Sequence, residues 1–260
     1  ASNKDYNDAA VVVLMRTGAE GNDLPYDMSR YGGSADENYL ELNKDEKELL
    51  AEVHKSFDKV IVLISSANAM QMDFVDKAEY GIDAVLWYAR PAGGIGSIAK
   101  ILSGAINPSG RLVDTWAADF TKNPSFVNFG TGCLPDTTDK YDGGMYYSVD
   151  YEEGIYVGYR YYETVAADKE AAQAGAGEEW YSKAVVYPFG YGLSYTDFQY
   201  SNLVVKAGDE VISDGATLDA AKLSSSVETG RAQIETMTVQ VDVTNSGSVA
   251  GKETVEIYVK

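Results

Sequence analysis

Three short, mostly apolar runs constrain this chain more than anything else in it: AAVVVLM at 9–15, KVIVLIS at 59–65 and IDAVLWY at 82–88. Runs of this length, rich in β-branched residues, read as strands buried on both faces of a parallel sheet. Between the first two lies NKDEKELLAEVHKSF at 43–57, where Asn43 and Glu46 have capping-box spacing and Leu49, Leu50, Val53 and Phe57 share one helical face. A second, weaker helical stretch is expected between the second and third runs. Then GGIGSIAKILSG at 93–104 reads as a glycine-rich turn opening a helix that Gly104 ends, and NPSG at 107–110 is turn chemistry. Strands alternating with helices at this spacing give an α/β fold, a mostly parallel sheet flanked by helices.

The chain then changes character. Residues 141–162 hold eight tyrosines, and 166–178, AADKEAAQAGAGE, reads as a small-residue, charged insertion forming a mobile loop. From about Asp197 the pattern becomes all-β. Met237, Val239, Val241 and Val243 alternate with polar residues, NSG at 245–247 turns the chain, and a second alternating strand is expected after it. Two or three strands do not make a stable sandwich, so this β domain is expected to be cut off at Lys260. The domains expected are 1–165, 166–196 as insertion and linker, and 197–260.

The formal net charge of −19 disfavours phosphate backbones and anionic lipid surfaces as partners. Neutral, hydroxyl-rich molecules such as sugars are not repelled, although charge does not select them. A single cysteine, Cys133, allows no internal disulfide, and a single histidine, His54, allows no His-rich metal site. His54 reads as a surface or boundary residue of its helix.

Among candidate functional residues, Glu20 in RTGAEGNDLP stands just beyond the first predicted strand, with Gly21 beside it. An acidic chain has many solvated loop glutamates, yet the carboxyl ends of parallel strands are where α/β proteins place chemistry. A rival is GIGSIA at 94–99, which has the outline of a dinucleotide fingerprint with Asp114 about twenty residues on; the same glycines serve equally as a tight turn. The tyrosine-rich stretch is either a sugar-stacking platform or the packing of an irregular segment, and packing is favoured.

Together, VVVLMRTGAEGND, LELNKDEKELLAEV, KVIVLISSANAM, NPSGRLVDTW, YEEGIYVGYRYYET, YPFGYGLSYTDFQYSNL and VDVTNSGSVAGKETVEIYV resemble, in order, the carboxyl-terminal half of family 3 glycoside hydrolases, the β-glucosidase family. The resemblance implies an incomplete α/β sandwich domain followed by the first strands of a fibronectin type III-like domain. It also implies a separate (β/α)8 barrel carrying the nucleophile. The family's acid/base glutamate lies in a pattern like G-E-G-Y-D-R; AEGNDL at 19–24 places Glu20 on the acid/base, with Gly21 and Asp23 at their family positions. Ala19, Asn22 and Leu24 depart from that pattern, which leaves the sugar preference open.

The resemblance implies a retaining β-glycosidase, with β-glucosidase as the leading activity, a β-linked glycoside as substrate and no metal or organic cofactor. Retaining hydrolysis needs two carboxylates about 5 to 5.5 Å apart, one attacking the anomeric carbon and one moving the proton. Nothing here matches the family's nucleophile motif, so residues 1–260 alone are expected to be inactive. Gly21 and Asp23 are read as supports of the loop, Asp23 by accepting backbone N–H bonds. Arg160 is expected to pair with Glu152 or Glu153 between domains. The alternatives are a non-catalytic carbohydrate-binding or packing module, and a β-xylosidase of the same family.

Overall fold

The structure is a computed structural model and describes residues 5–18, 24–89, 93–128, 135–141, 144–147, 151, 153–208, 210–213 and 237–258. In chain order the elements are β1 (Ala10–Arg16), α1 (Lys44–Ser56), β2 (Val60–Ser66), β3 (Ile82–Trp87), α2 (Gly96–Leu102), β4 (Trp116–Ala117), β5 (Pro135–Tyr141) and β6 (Gly144–Tyr147). They continue with α3 (Tyr159–Ala172), α4 (Ala176–Ala184), β7 (Val185–Tyr187), β8 (Phe198–Ala207), β9 (Glu210–Ser213) and β10 (Met237–Asn245). The chain divides into two compact units, one of Ala1–Gly94 with Arg111–Tyr191 and one of Ile95–Gly110 with Gly192–Lys260.

The first unit is built on a parallel sheet of order β1-β2-β3, in which Val12 lies opposite Val62 and Val62 opposite Val85. Central β2 is the expected buried strand, with Val60, Val62 and Ile64 all fully buried. Helix α1 carries the expected capping box: Asn43 Oδ1 accepts the Glu46 N–H at 2.8 Å, and Glu46 Oε2 accepts the Asn43 N–H at 3.0 Å. Its Leu50 is buried in the same core as Val12, Leu14 and Phe74. His54 is exposed on this helix.

Three expectations for this unit are corrected. Strand β1 is buried on one face only: Val12, Leu14 and Arg16 point inward, while Val11, Val13 and Met15 are 48 %, 54 % and 60 % exposed. The unbroken apolar run of β1 therefore overstated its burial, since its odd-numbered side chains are about half exposed. The stretch between β2 and β3 is turns rather than helix, because Met70, Met72 and Phe74 enter the core as alternate residues, a spacing a helix does not offer.

Residues 166–178 are not a loop. They fall in α3 and α4 with a short turn at 173–175, since alanine is the strongest helix former and the run is rich in it. Gly177 allows the two helices to meet: a Cβ there would overlap the Ala166 carbonyl oxygen. Tyr162, Ala117 and Val185 form a second small core, with Trp180 stacked 6.1 Å from Tyr162. Tyr159 packs on Phe189 at 4.8 Å, and Arg160 stands 6.0 Å from the Tyr159 ring centre. The carboxyl-terminal tyrosines of the aromatic stretch therefore pack rather than present a platform.

In the second unit β8 is the middle strand of an antiparallel sheet of order β10-β8-β9. The alternating strand expected over 237–245 is β10, but 251–258, expected as a further strand, makes no ladder with the described residues. Asn107, from the NPSG turn, organises the unit. Its Oδ1 accepts from Ser194 Oγ at 3.1 Å and from the Tyr195 N–H at 2.8 Å, and its Nδ2 donates to the Ala250 carbonyl at 3.1 Å. Gly104, at φ 76°, ends α2 as expected.

Candidate functional site at the carboxyl end of the parallel sheet

The strand ends of the parallel sheet are tied into a rigid rim. Trp87 Nε1 donates to the Ser66 carbonyl at 2.7 Å, Ser65 Oγ donates to the Ala89 carbonyl at 3.0 Å, and Ser66 Oγ donates to the Asn68 carbonyl at 2.7 Å. Ala89 holds a left-handed φ of 53°, a conformation that costs a non-glycine residue roughly 1 kcal/mol or more and persists only where neighbours impose it.

At the end of β1 the inward alternation of Val12 and Leu14 continues to Arg16, which is 3 % exposed. Its guanidinium meets Glu46 with two bonds of 2.7 Å, Nη1 to Oε1 and Nη2 to Oε2. Nε donates to the Tyr39 carbonyl and Nη2 to the Glu41 carbonyl, both at 2.5 Å, and Nη1 also donates to the Met15 carbonyl at 2.9 Å. A buried arginine is tolerable only when its donors are satisfied, and here the bidentate fork supplies that.

Tyr39, itself 3 % exposed, turns its hydroxyl onto the next residue of the strand exit. That hydroxyl accepts the Thr17 N–H at 2.8 Å and donates to the Thr17 carbonyl at 2.9 Å, with Thr17 Oγ1 3.0 Å away. Gly18 follows, and a Cβ on it would come 2.9 Å from Leu24 Cδ2 and 3.6 Å from Asn68 Oδ1. The described residues on either side of positions 19–23 thus lie against each other.

The residues singled out from the sequence, Glu20, Gly21 and Asp23, lie outside the described residues, as do Cys133 and Glu152. Arg16 and Tyr39 were not singled out. A signal for Arg16 existed, since an arginine in phase with Val12 and Leu14 must be buried and needs a carboxylate, and Glu46 at the capping position was the available one. For the rival nucleotide reading, the helix begins at Gly96, inside GIGSIA, and is only seven residues long, and a lone G-x-G-x-x-A is a weak signal.

Residues 1–159 match the glycosyl hydrolase family 3 C-terminal domain, and the chain belongs to that family. It is 33 % identical over 257 residues to a β-glucosidase of Ruminococcus albus, covering 98 % of this chain and 20 % of that protein. It is 32 % identical over 273 residues to β-glucosidase A of Butyrivibrio fibrisolvens, covering 97 % of this chain and 28 % of the relative. Among solved structures, a β-glucosidase from Paenibacillus barengoltzii superposes with a TM-score of 0.62 at 31 % identity, covering 95 % of this chain and 21 % of that one. β-Glucosidase 3B from Thermotoga neapolitana gives 0.60 at 29 % identity, covering 95 % and 26 %. The chain spans between about a fifth and somewhat over a quarter of the length of these relatives.

Proposed function

We propose that this chain supplies the general acid/base, Glu20, of a retaining β-glycosidase, with β-glucosidase as the activity. The attacking aspartate would lie on a (β/α)8 barrel outside residues 1–260, and residues 197–260 would open a fibronectin type III-like domain. The observation that carries the reading is that AEGND is separated from the last residue of β1 by two residues in the sequence of a chain of this family. The carboxyl ends of parallel strands are where open α/β folds place catalytic groups.

The chemistry explains why a carboxylic acid is wanted there. A glycosidic oxygen leaves poorly unless it gains a proton as the bond to the anomeric carbon stretches. Glu20 would donate that proton, and its carboxylate would then take one from the water that releases the sugar from the nucleophile. General acid–base help of this kind is worth on the order of 10² to 10⁴ in rate. Gly21 and Asp23 would shape the backbone around it, and no metal or organic cofactor enters the reaction. Residues 1–260 alone, lacking the nucleophile, would be inactive.

The test is Glu20→Gln in the full-length protein. Hydrolysis of alkyl and sugar β-glucosides should nearly vanish, aryl glucosides with good leaving groups should still glycosylate the enzyme, and azide should restore part of the turnover. Parental rates on disaccharides in this variant would refute the assignment. If the full-length protein hydrolyses none of a panel of β-glycosides, the chain serves instead as a binding or packing module.

A further inference from the structure

We infer that Tyr39 and Arg16 are positioning residues for Glu20, an inference that rests on the function proposed above. Thr17 is separated from Glu20 by two residues, and one phenol grips its backbone on both sides of its Cα: the N–H at 2.8 Å and the carbonyl at 2.9 Å. A strand end normally directs these groups to a neighbouring strand or to water. Here a side chain from 22 residues further along takes both.

Tyr39 is in turn fixed from behind. Arg16 Nε holds its carbonyl at 2.5 Å, the Arg16 guanidinium carbon lies 5.8 Å from the centre of its ring, and Tyr31 packs on the ring at 5.1 Å. Arg16 also binds the Glu41 carbonyl and the Glu46 carboxylate, so the strand exit, the 39–41 segment and the first turn of α1 share one hub. Replacing both partners of such a buried pair by well-packed apolar residues is often neutral or stabilising, so the pair by itself is weak evidence for a role in stability. What the hub does supply is a fixed direction for the chain leaving β1. Reaction rates depend steeply on such placement, since misplacement of a reacting group by about 1 Å can cost about a hundredfold.

Tyr39→Phe in the full-length protein isolates this role, because it keeps the ring and removes only the hydroxyl. The expected result is a fall in kcat of about ten- to a hundredfold on glucosides with poor leaving groups, with KM nearly unchanged and the first, glycosylating step on activated aryl glucosides, read as the initial burst of released aryl group, little affected. The leaving-group dependence should thereby steepen toward that of Glu20→Gln, a change a merely structural loss would not produce. Should Tyr39→Phe fail to fold, Glu46→Gln, which loosens Arg16 by replacing one accepting oxygen with a donor, gives the same readout. A parental leaving-group dependence in the folded variant, beside an impaired Glu20→Gln, overturns the positioning role alone. Parental behaviour of Glu20→Gln overturns the acid/base reading and this inference with it.

Discussion

Arg16 and Glu46 face each other as a fork on a fork, two parallel bonds of 2.7 Å joining the last residue of β1 to the first turn of α1. Glu46 is also half of the α1 capping box, so one carboxylate serves a helix terminus and a buried cation at once.

Removing the cation should therefore cost more than its own bonds. Arg16→Met leaves a mostly buried carboxylate without its counter-ion and takes a donor from three backbone carbonyls, those of Met15, Tyr39 and Glu41, and breaking one side of such a pair typically costs about 3 to 5 kcal/mol. Thermal or urea unfolding should show a loss of this size.

The α3–α4 hairpin depends on a missing side chain. In Gly177→Ala the new methyl meets a backbone carbonyl, which cannot swing aside as a side-chain tip would. Overpacking of this kind costs about 1 to 3 kcal/mol. The loss should appear as early protease cleavage near 173–177, with the β1–β3 core unaffected.

Asn107 carries three hydrogen bonds within the second unit. At about 0.5 to 1.5 kcal/mol each, Asn107→Ala should weaken that unit by roughly 2 to 4 kcal/mol. Hydrogen exchange should accelerate in β8 and β10 while the amides of β2 keep their protection.

Burial pushes the Tyr162 phenol up to about 12. The folded state thus holds this proton more tightly than the unfolded chain, whose tyrosines ionise near 10. The contribution of Tyr162 is complete below about pH 10 and is lost as pH rises toward 12, by about tenfold in the folding constant per pH unit. Tyr80 is raised to about 12 by the same cause, so Tyr162→Phe should make the alkaline loss of stability shallower without abolishing it. An unchanged slope in a pH titration of unfolding would contradict this.

Legibility from the sequence followed the range of the interactions. Helix α1 could be read because its signals, Asn43, Glu46 and the Leu50 face, lie within a few residues of each other. The runs of β2 and β3 were equally local. The α3–α4 hairpin has no such local signature: its small and charged residues suit a loop as well as a helix, and alanine's helix propensity with one close-packing glycine, Gly177, decides for the helices. The Arg16 hub joins residues 23 to 30 positions apart, and no local pattern encodes that. Glu20 stood out through family resemblance; spacing alone made it only one acidic residue among many.

The outward side of β1 has a practical consequence for anyone handling this polypeptide. Val11, Val13 and Met15 form an uncharged, half-exposed apolar stripe, on a strand that pairs along one edge only among the described residues. The backbone of such an edge, flanked by an apolar stripe, is a template for intermolecular strand addition. Preparations of residues 1–260 should cloud with rising concentration, and a lysine at position 13, outside the core and away from Arg16, is the change to try first for keeping them clear.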